Sequence, residues 1–136
     1  MKPKAIIVDI DGTLAHMQGR SPYDYTQVHT DAIDLVIRDI VNRYSDTHVV
    51  LIVSGRKDEC YEATLDWLID NQITYRKLYM RPSDDKREDS VLKREIYEQE
   101  ILPNYEVDFV LDDRNRVVKM WREIGLKCLQ VADGDF

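Results

Sequence analysis

The sequence predicts a doubly wound α/β fold: a central, mostly parallel five-stranded sheet with helices on both faces and no large cap domain. Three observations carry this prediction. Short β-rich runs alternate with amphipathic helical stretches along the chain. The runs are apolar at consecutive positions, as in strands covered on both faces. The polar motifs fall just beyond those runs, where sheets of this kind place their sites.

Ala5-Ile6-Ile7-Val8 is the first such run, Val49–Val53 the second and Phe109-Val110-Leu111 a third, with weaker strands expected at Tyr75–Met80 and Lys127–Val131. Between them, Ile33, Val36, Ile37, Ile40, Val41 and Tyr44 recur at helical spacing, with Thr30 as the expected N-cap. A second helix is expected over Glu59–Asn71, with Ala63, Trp67 and Leu68 facing inward. A third runs from Asp89 to Leu102, where Pro103 ends it. A fourth uses Val117, Val118, Trp121 and Ile124 and stops at Gly125. The tryptophans and tyrosines on these helices read as core. Residues Gly12–His29 show no clear period and read as a long loop or flap over the end of the first strand.

A chain of 136 residues, 43% hydrophobic and 33% charged, fits one globular domain spanning residues 1–136. No apolar run approaches the roughly 20 residues that cross a bilayer, so no membrane partner is expected. Lys2-Pro3-Lys4 leads into a short run that ends in acids, unlike a secretory signal. Cys60 and Cys128 stand far apart with no CxxC pair and read as inert thiols in a reducing, cytoplasmic setting. The net charge of −7 argues against broad electrostatic binding to nucleic acid. It leaves room for a site that grips one terminal phosphate through a local basic cluster.

The first strand ends in Asp9-Ile10-Asp11-Gly12-Thr13. Here Asp9 can attack phosphorus while Asp11 protonates the leaving oxygen and later deprotonates water. Mg²⁺ suits such a site, because it takes hard oxygen ligands and admits substrate phosphate to its shell. An Asp-x-Asp pair alone could equally be a turn. Ser54-Gly55-Arg56 after the second strand could cradle a phosphate with its hydroxyl and the amides of a glycine turn ahead of a helix, or simply cap that helix. Asp112-Asp113-Arg114 sets adjacent carboxylates at a strand end, which repel unless a cation lies beside them; a surface turn is the other reading. Lys93 alone would be a solvated lysine. Asp89, one helical turn before it, either supports the helix or orients Lys93.

In order, these motifs are an acid pair, Ser-Gly, a lysine and a second acid pair. Together they resemble the four-motif pattern of the haloacid dehalogenase (HAD) superfamily over nearly the full length of the chain. The resemblance implies a Rossmann-like sheet, Mg²⁺ dependence and phosphoaspartate chemistry. It makes Asp9 the nucleophile and Asp11 the general acid/base, which also offers its backbone carbonyl to the metal. Ser54 would bind phosphoryl oxygens, Lys93 would neutralise nucleophile and phosphate, and Asp112 and Asp113 would hold the metal directly or through water.

Finer strings resemble one branch of that superfamily. The stretch Asp9–Ala15, the flap string Gly19–Asp24, Val53–Arg56, Asp112-Asp113-Arg114, Met120-Trp121-Arg122 and Gly134-Asp135-Phe136 are similar to the 3′-phosphatase domain of the T-even bacteriophage type of polynucleotide kinase/phosphatase. By that resemblance Arg20 and Arg56 grip the substrate phosphate, Thr13 and Gly55 belong to the substrate site, and Arg81 and Asp89 match further positions associated with activity. Arginine suits the grip, since its planar fork meets two oxygens at once. The implied activity is Mg²⁺-dependent removal of a 3′-terminal phosphate from DNA or RNA ends, as in nucleic-acid end healing. The absence of a large cap agrees, because an open site admits a polymer end. No GxxxxGK[ST] string occurs, so no kinase activity is expected of this chain. A kinase or ligase partner would sit on a separate chain or a removed domain, and a homo-oligomer is open. Arg76, Lys77, Arg81, Lys86 and Arg87 either touch a phosphodiester backbone or form a solvated loop with the acids among them. A nucleotide or small-molecule phosphomonoesterase on the same framework is the competing enzyme reading. A phosphoacceptor module is the non-catalytic one, which the intact Asp11 disfavours.

Overall fold

The computed structural model describes residues 1–136. Strand β1 (Lys4–Val8) is followed by a two-residue β2 (Ala15–His16), a 3₁₀ turn at Tyr25–Thr30, a two-residue β3 (Ala32–Ile33) and helix α1 (Leu35–Tyr44). Then come β4 (Val49–Lys57), α2 (Tyr61–Asp70), β5 (Lys77–Arg81), α3 (Asp89–Ile96), β6 (Glu106–Asp112), α4 (Asn115–Glu123) and β7 (Cys128–Gln130). The main sheet is five-stranded in the order β5-β4-β1-β6-β7. Every neighbouring pair in it is parallel. The expected α/β architecture is present, with no cap domain.

Alternation along β1 explains why its run is apolar throughout. Ile6 and Val8 point into one core with Val50, Ile52, Ile37 and Val41 of α1, and Trp67 and Leu68 of α2. Ala5 and Ile7 point into the other with Leu51, Val110, Val117, Val118 and Trp121. A strand between two helical layers has no wet face, so period-two polarity disappears. Cys60 and Cys128 are buried and free, and burial, with Asp112 close by, pushes the Cys128 thiol up to about 12.

Several boundaries differ from expectation. Ile33 lies in β3 and not in the first helix; Asp34 caps α1, its side chain accepting the Ile37 N–H at 3.1 Å. Thr30 ends the preceding 3₁₀ turn instead. The third helix changes character at Tyr97, where a π-turn spans Tyr97–Ile101. The flap holds short pairing, since β2 and β3 are antiparallel partners. The second strand continues through Ser54-Gly55-Arg56 to Lys57, with a register shift before Lys57 pairs with Arg81. The expected glycine turn ahead of a helix is therefore a bulged strand extension, and a 3₁₀ turn at Asp58–Cys60 separates it from α2.

Candidate active site

The order β5-β4-β1-β6-β7 reverses direction at β1, and the crevice beyond the carboxyl ends of β1, β4 and β6 gathers the polar motifs. Asp9 follows β1 and Asp112 closes β6. Lys93 on α3 is 2% exposed and reaches between them, its Nζ 2.8 Å from Asp9 Oδ1 and 3.1 Å from Asp112 Oδ2. Trp121 Nε1 donates to the same Asp112 oxygen at 3.2 Å, so this core tryptophan also braces the site. Thr13 is buried and its hydroxyl lies 3.1 Å from Asp9 Oδ2 and 3.3 Å from Asp113 Oδ1. Gly12 sits at φ +88°, and a Cβ there would stand 2.0 Å from Asp113 Oδ2. Both conditions select glycine.

Asp9, Asp112 and Asp113 are buried, and a carboxylate oxygen from each lies within 4.8 Å of the others. Burial, then the neighbouring Asp112 carboxylate, holds Asp9 well above the usual carboxylate range, against the pull of Lys93. Burial likewise raises Asp113. Burial alone would lower the Lys93 ammonium, but Asp112 and Asp9 outweigh it and keep it charged. One lysine thus faces three carboxylates. The hard oxygen donors and the unbalanced negative charge both fit a Mg²⁺ ion. Asp11 stands outside this oxygen cluster. Its side chain is held by Arg56, with Nη2 at 2.7 Å from Oδ1 and Nε at 3.0 Å from Oδ2.

Ser54 is buried and its hydroxyl accepts the Arg56 N–H at 3.1 Å. Arg56 is also buried, and Arg20 lies behind it, 3.6 Å from Asp11. Both guanidiniums converge on Asp31. Arg20 donates Nε and Nη2 to its two oxygens at 2.7 and 2.9 Å, and Arg56 Nη2 donates at 2.8 Å. Asp31 is in turn anchored through its carbonyl, which accepts Trp67 Nε1 at 3.0 Å. Sequence reasoning missed Asp31, because a single acid in an aperiodic loop carries no signal of burial. Arg20, which the resemblance makes a phosphate-gripping residue, has a side chain only 2% exposed and paired with Asp31.

Arg81 is buried too and its donors are engaged: Nε to the Gly55 carbonyl at 2.9 Å, Nη1 to the Arg87 carbonyl at 2.6 Å, and Nη2 to Asp89. Asp89 also accepts Arg114 Nη1 at 2.9 Å. It ties the start of α3 to the ends of β5 and β6 and makes no hydrogen bond to Lys93. A Cβ on Gly55 would stand 2.5 Å from Asp89 Oδ1. Above these residues opens a cavity of about 490 Å³, reached by Asp9, Asp11, Arg56, Lys93, Asp112 and Asp113. Of the five basic residues around β5, Arg81, Lys86 and Arg87 line it; Arg87 is already paired with Asp85 and Glu95.

This arrangement can hold a phosphoryl group between a buried carboxylate, a buried ammonium and a guanidinium. Residues 3–136 match the family model described as the polynucleotide kinase PNKP phosphatase domain. The chain is 36% identical over 126 residues to a putative bifunctional polynucleotide kinase/RNA ligase of Autographa californica nuclear polyhedrosis virus, covering 90% of this chain and 18% of that protein. It superposes on chains from two structures of the Pnkp1/Rnl/Hen1 complex, an RNA repair complex, with TM-score 0.96 and 40% identity. There the match covers 99% of this chain and 44% or 48% of the other, so this chain spans less than half of those relatives. A hydrolase from Streptococcus pneumoniae TIGR4, at 14% identity and TM-score 0.64 over 98% of this chain and 95% of the other, shares the fold. The chain therefore belongs to the polynucleotide kinase phosphatase-domain family, a group of HAD-fold phosphomonoesterases.

Proposed function

We propose that the chain, as one phosphatase domain over residues 1–136, removes 3′-terminal phosphate from DNA or RNA ends in nucleic-acid repair. The observation that carries the reading is the buried Asp9 at the floor of an uncapped cavity, with Lys93 on one of its oxygens. Likeness to a putative polynucleotide kinase/RNA ligase and to a chain of an RNA repair complex supports the polymeric substrate. They also support kinase and ligase activities supplied by a partner chain or another part of a longer protein.

In the proposed reaction an Asp9 carboxylate oxygen attacks phosphorus and the bond from phosphorus to the 3′ oxygen breaks. Asp11 gives its proton to that leaving oxygen, and the end departs as a 3′ hydroxyl. Water then attacks the aspartyl phosphate, Asp11 takes the water's proton, and the bond between phosphorus and Asp9 breaks to free inorganic phosphate. Lys93 compensates charge on Asp9 and on the phosphoryl oxygens. Ser54 and Arg56 hold those oxygens in line, with Arg20 reinforcing the grip and Thr13 fixing the rotamer of Asp9. Asp9, Asp112, Asp113 and the Asp11 carbonyl would hold Mg²⁺, which when bound neutralises phosphoryl oxygens and lets Asp9 stay ionised. Asp89, Arg81 and Gly55 position α3 and the bulged end of β4 around the substrate.

The test is phosphate release from a 3′-phosphorylated oligonucleotide with Mg²⁺, beside 5′-phosphorylated and mononucleotide controls. Selective release at the 3′ end, abolished in Asp9→Asn, is expected. Equal or better turnover of free nucleotides or sugar phosphates would replace this reading with a small-molecule phosphatase.

A further inference from the structure

The mouth of the cavity carries aromatic surface that the phosphoryl chemistry does not use. Two of its aromatic lining residues stand open to solvent: Tyr23 at 86% and Phe136 at 56% exposure. Leaving large rings exposed forfeits the stabilisation that burial would bring, so a pair at one cavity mouth calls for an occupant.

Phe136 is held firmly. The Arg114 guanidinium lies 4.6 Å from its ring centroid. Its N–H donates to the Gly134 carbonyl at 2.9 Å, and its carbonyl accepts Arg116 Nη2 at 3.1 Å. Gly134 is wedged in place: a Cβ there would stand 1.8 Å from the Asp113 carbonyl oxygen. Its own carbonyl accepts the Asn115 N–H at 2.8 Å. The ring is thus built onto the turn that carries Asp113, with Arg114 against it and over half its surface free. Arg114 is fixed in turn by Asp89. An aromatic ring backed by a guanidinium is a stacking surface for a planar heteroaromatic group. Tyr23 projects from the flap into the same cavity, beside Met17 and Pro22. The volume of about 490 Å³ lies in the range of small-ligand sites, larger than a phosphate alone needs.

We propose that Phe136, backed by Arg114 and joined by Tyr23 of the flap, stacks the 3′-terminal nucleobase of the substrate whose phosphate lies at Asp9. This inference rests on the reading given under Proposed function. Every base has a π face, so the contact selects a nucleoside end over a plain phosphoester without selecting among bases.

The experiment compares kcat/KM, with Mg²⁺, for wild type and Phe136→Ala on two 3′-phosphorylated oligonucleotides. One ends in an ordinary nucleotide and the other in an abasic residue that keeps sugar and phosphate. Removing the base is expected to lower wild-type kcat/KM by about 5- to 150-fold. Phe136→Ala should lose a similar factor on the intact substrate, mainly in KM, and little more on the abasic one, since both changes delete one contact. Phe136→Trp should keep the activity. With 2-aminopurine as the terminal base, Asp9→Asn protein should quench its fluorescence, and adding Phe136→Ala should abolish the quench.

Equal losses on both substrates would mark Phe136 as structural and overturn the proposal, as would no loss on either. A wild type that prefers the oligonucleotide to p-nitrophenyl phosphate yet ignores base removal would sink the stacking and leave the proposed function standing. A wild type that does not prefer the oligonucleotide would remove that function and the stacking with it.

Discussion

Asp31 shows how one residue can set a site it does not enter. It is buried and accepts three hydrogen bonds from two guanidiniums, one of which, Arg56, also holds Asp11. Asp31→Asn keeps the shape, removes a negative charge from between two cations, and replaces one acceptor with a donor. Breaking a buried charge pair from one side costs about 3–5 kcal/mol, because the partner is left uncompensated. Here Arg56 retains Asp11, so the loss should show more in function than in folding. The expected outcome is a fall of at least about tenfold in kcat/KM on the 3′-phosphorylated oligonucleotide, with a thermal melt that remains cooperative. Unchanged kinetics would mean that the arginines hold their positions without Asp31. The sequence reveals the acids and glycines that sit in strings, such as Asp9–Thr13 and Asp112–Arg114, because their order along the chain mirrors their order along strand ends. It does not reveal Asp31, whose role comes from the flap folding Arg20 back over Arg56.

At the scale of elements, helices are legible from their local period, and strands from apolar runs covered by two helical layers. Boundaries were less so. The start of α1 was read too early, because Ile33 fits the helical period although β3 uses it to pair with Ala15 of β2. The competing signal is Asp34, whose side chain accepts the Ile37 N–H and lies 2.9 Å from His16 Nε2. It therefore caps α1 and ties the helix to β2 at once. Slight burial would raise the Asp34 carboxyl, but His16 and the backbone amides of Ile37 and Val36 hold it below its ordinary value of 3.8. A lowered acid contributes stability that is full above the ordinary value and is lost as pH falls through the lower folded value. Asp34→Ala should thus cost about 1 kcal/mol at pH 7, the usual worth of an N-cap. The difference from wild type should shrink below pH 3.8. Urea unfolding at neutral pH and near pH 3 reads both; a gap that widens in acid would contradict the cap assignment. The bulge that carries Ser54-Gly55-Arg56 was likewise hidden, as was the approach of Asp89 from α3 to within 2.5 Å of where a Gly55 Cβ would lie, because neither leaves a local pattern.

For the whole molecule, stability and chemistry meet at the carboxylate cluster. The two cores share every central strand, so losing the sheet loses both, and a single cooperative transition is expected for the domain. Into that shared framework the chain builds Asp9, Asp112 and Asp113 against one lysine. Three buried carboxylates gathered within 4.8 Å oppose folding unless a cation joins them. The sign follows from the raised Asp9 and Asp113: such acids favour the native state while protonated, and that contribution fades as pH climbs above the ordinary value of 3.8. At neutral pH the metal-free protein should therefore gain from losing one acid. Asp113→Asn is expected to melt higher than wild type in EDTA, because it relieves repulsion while keeping its bond with Thr13. Mg²⁺ should reverse the order. A ligand at a hundredfold its Kd stabilises by about 2.7 kcal/mol, on the order of 10 °C for a chain of this size. The wild type should show that rise and Asp113→Asn little of it. Calorimetry of both proteins, with EDTA and with Mg²⁺, decides the point. A variant that melts lower than wild type without metal and responds equally to Mg²⁺ would show that the cluster is balanced by Lys93 alone.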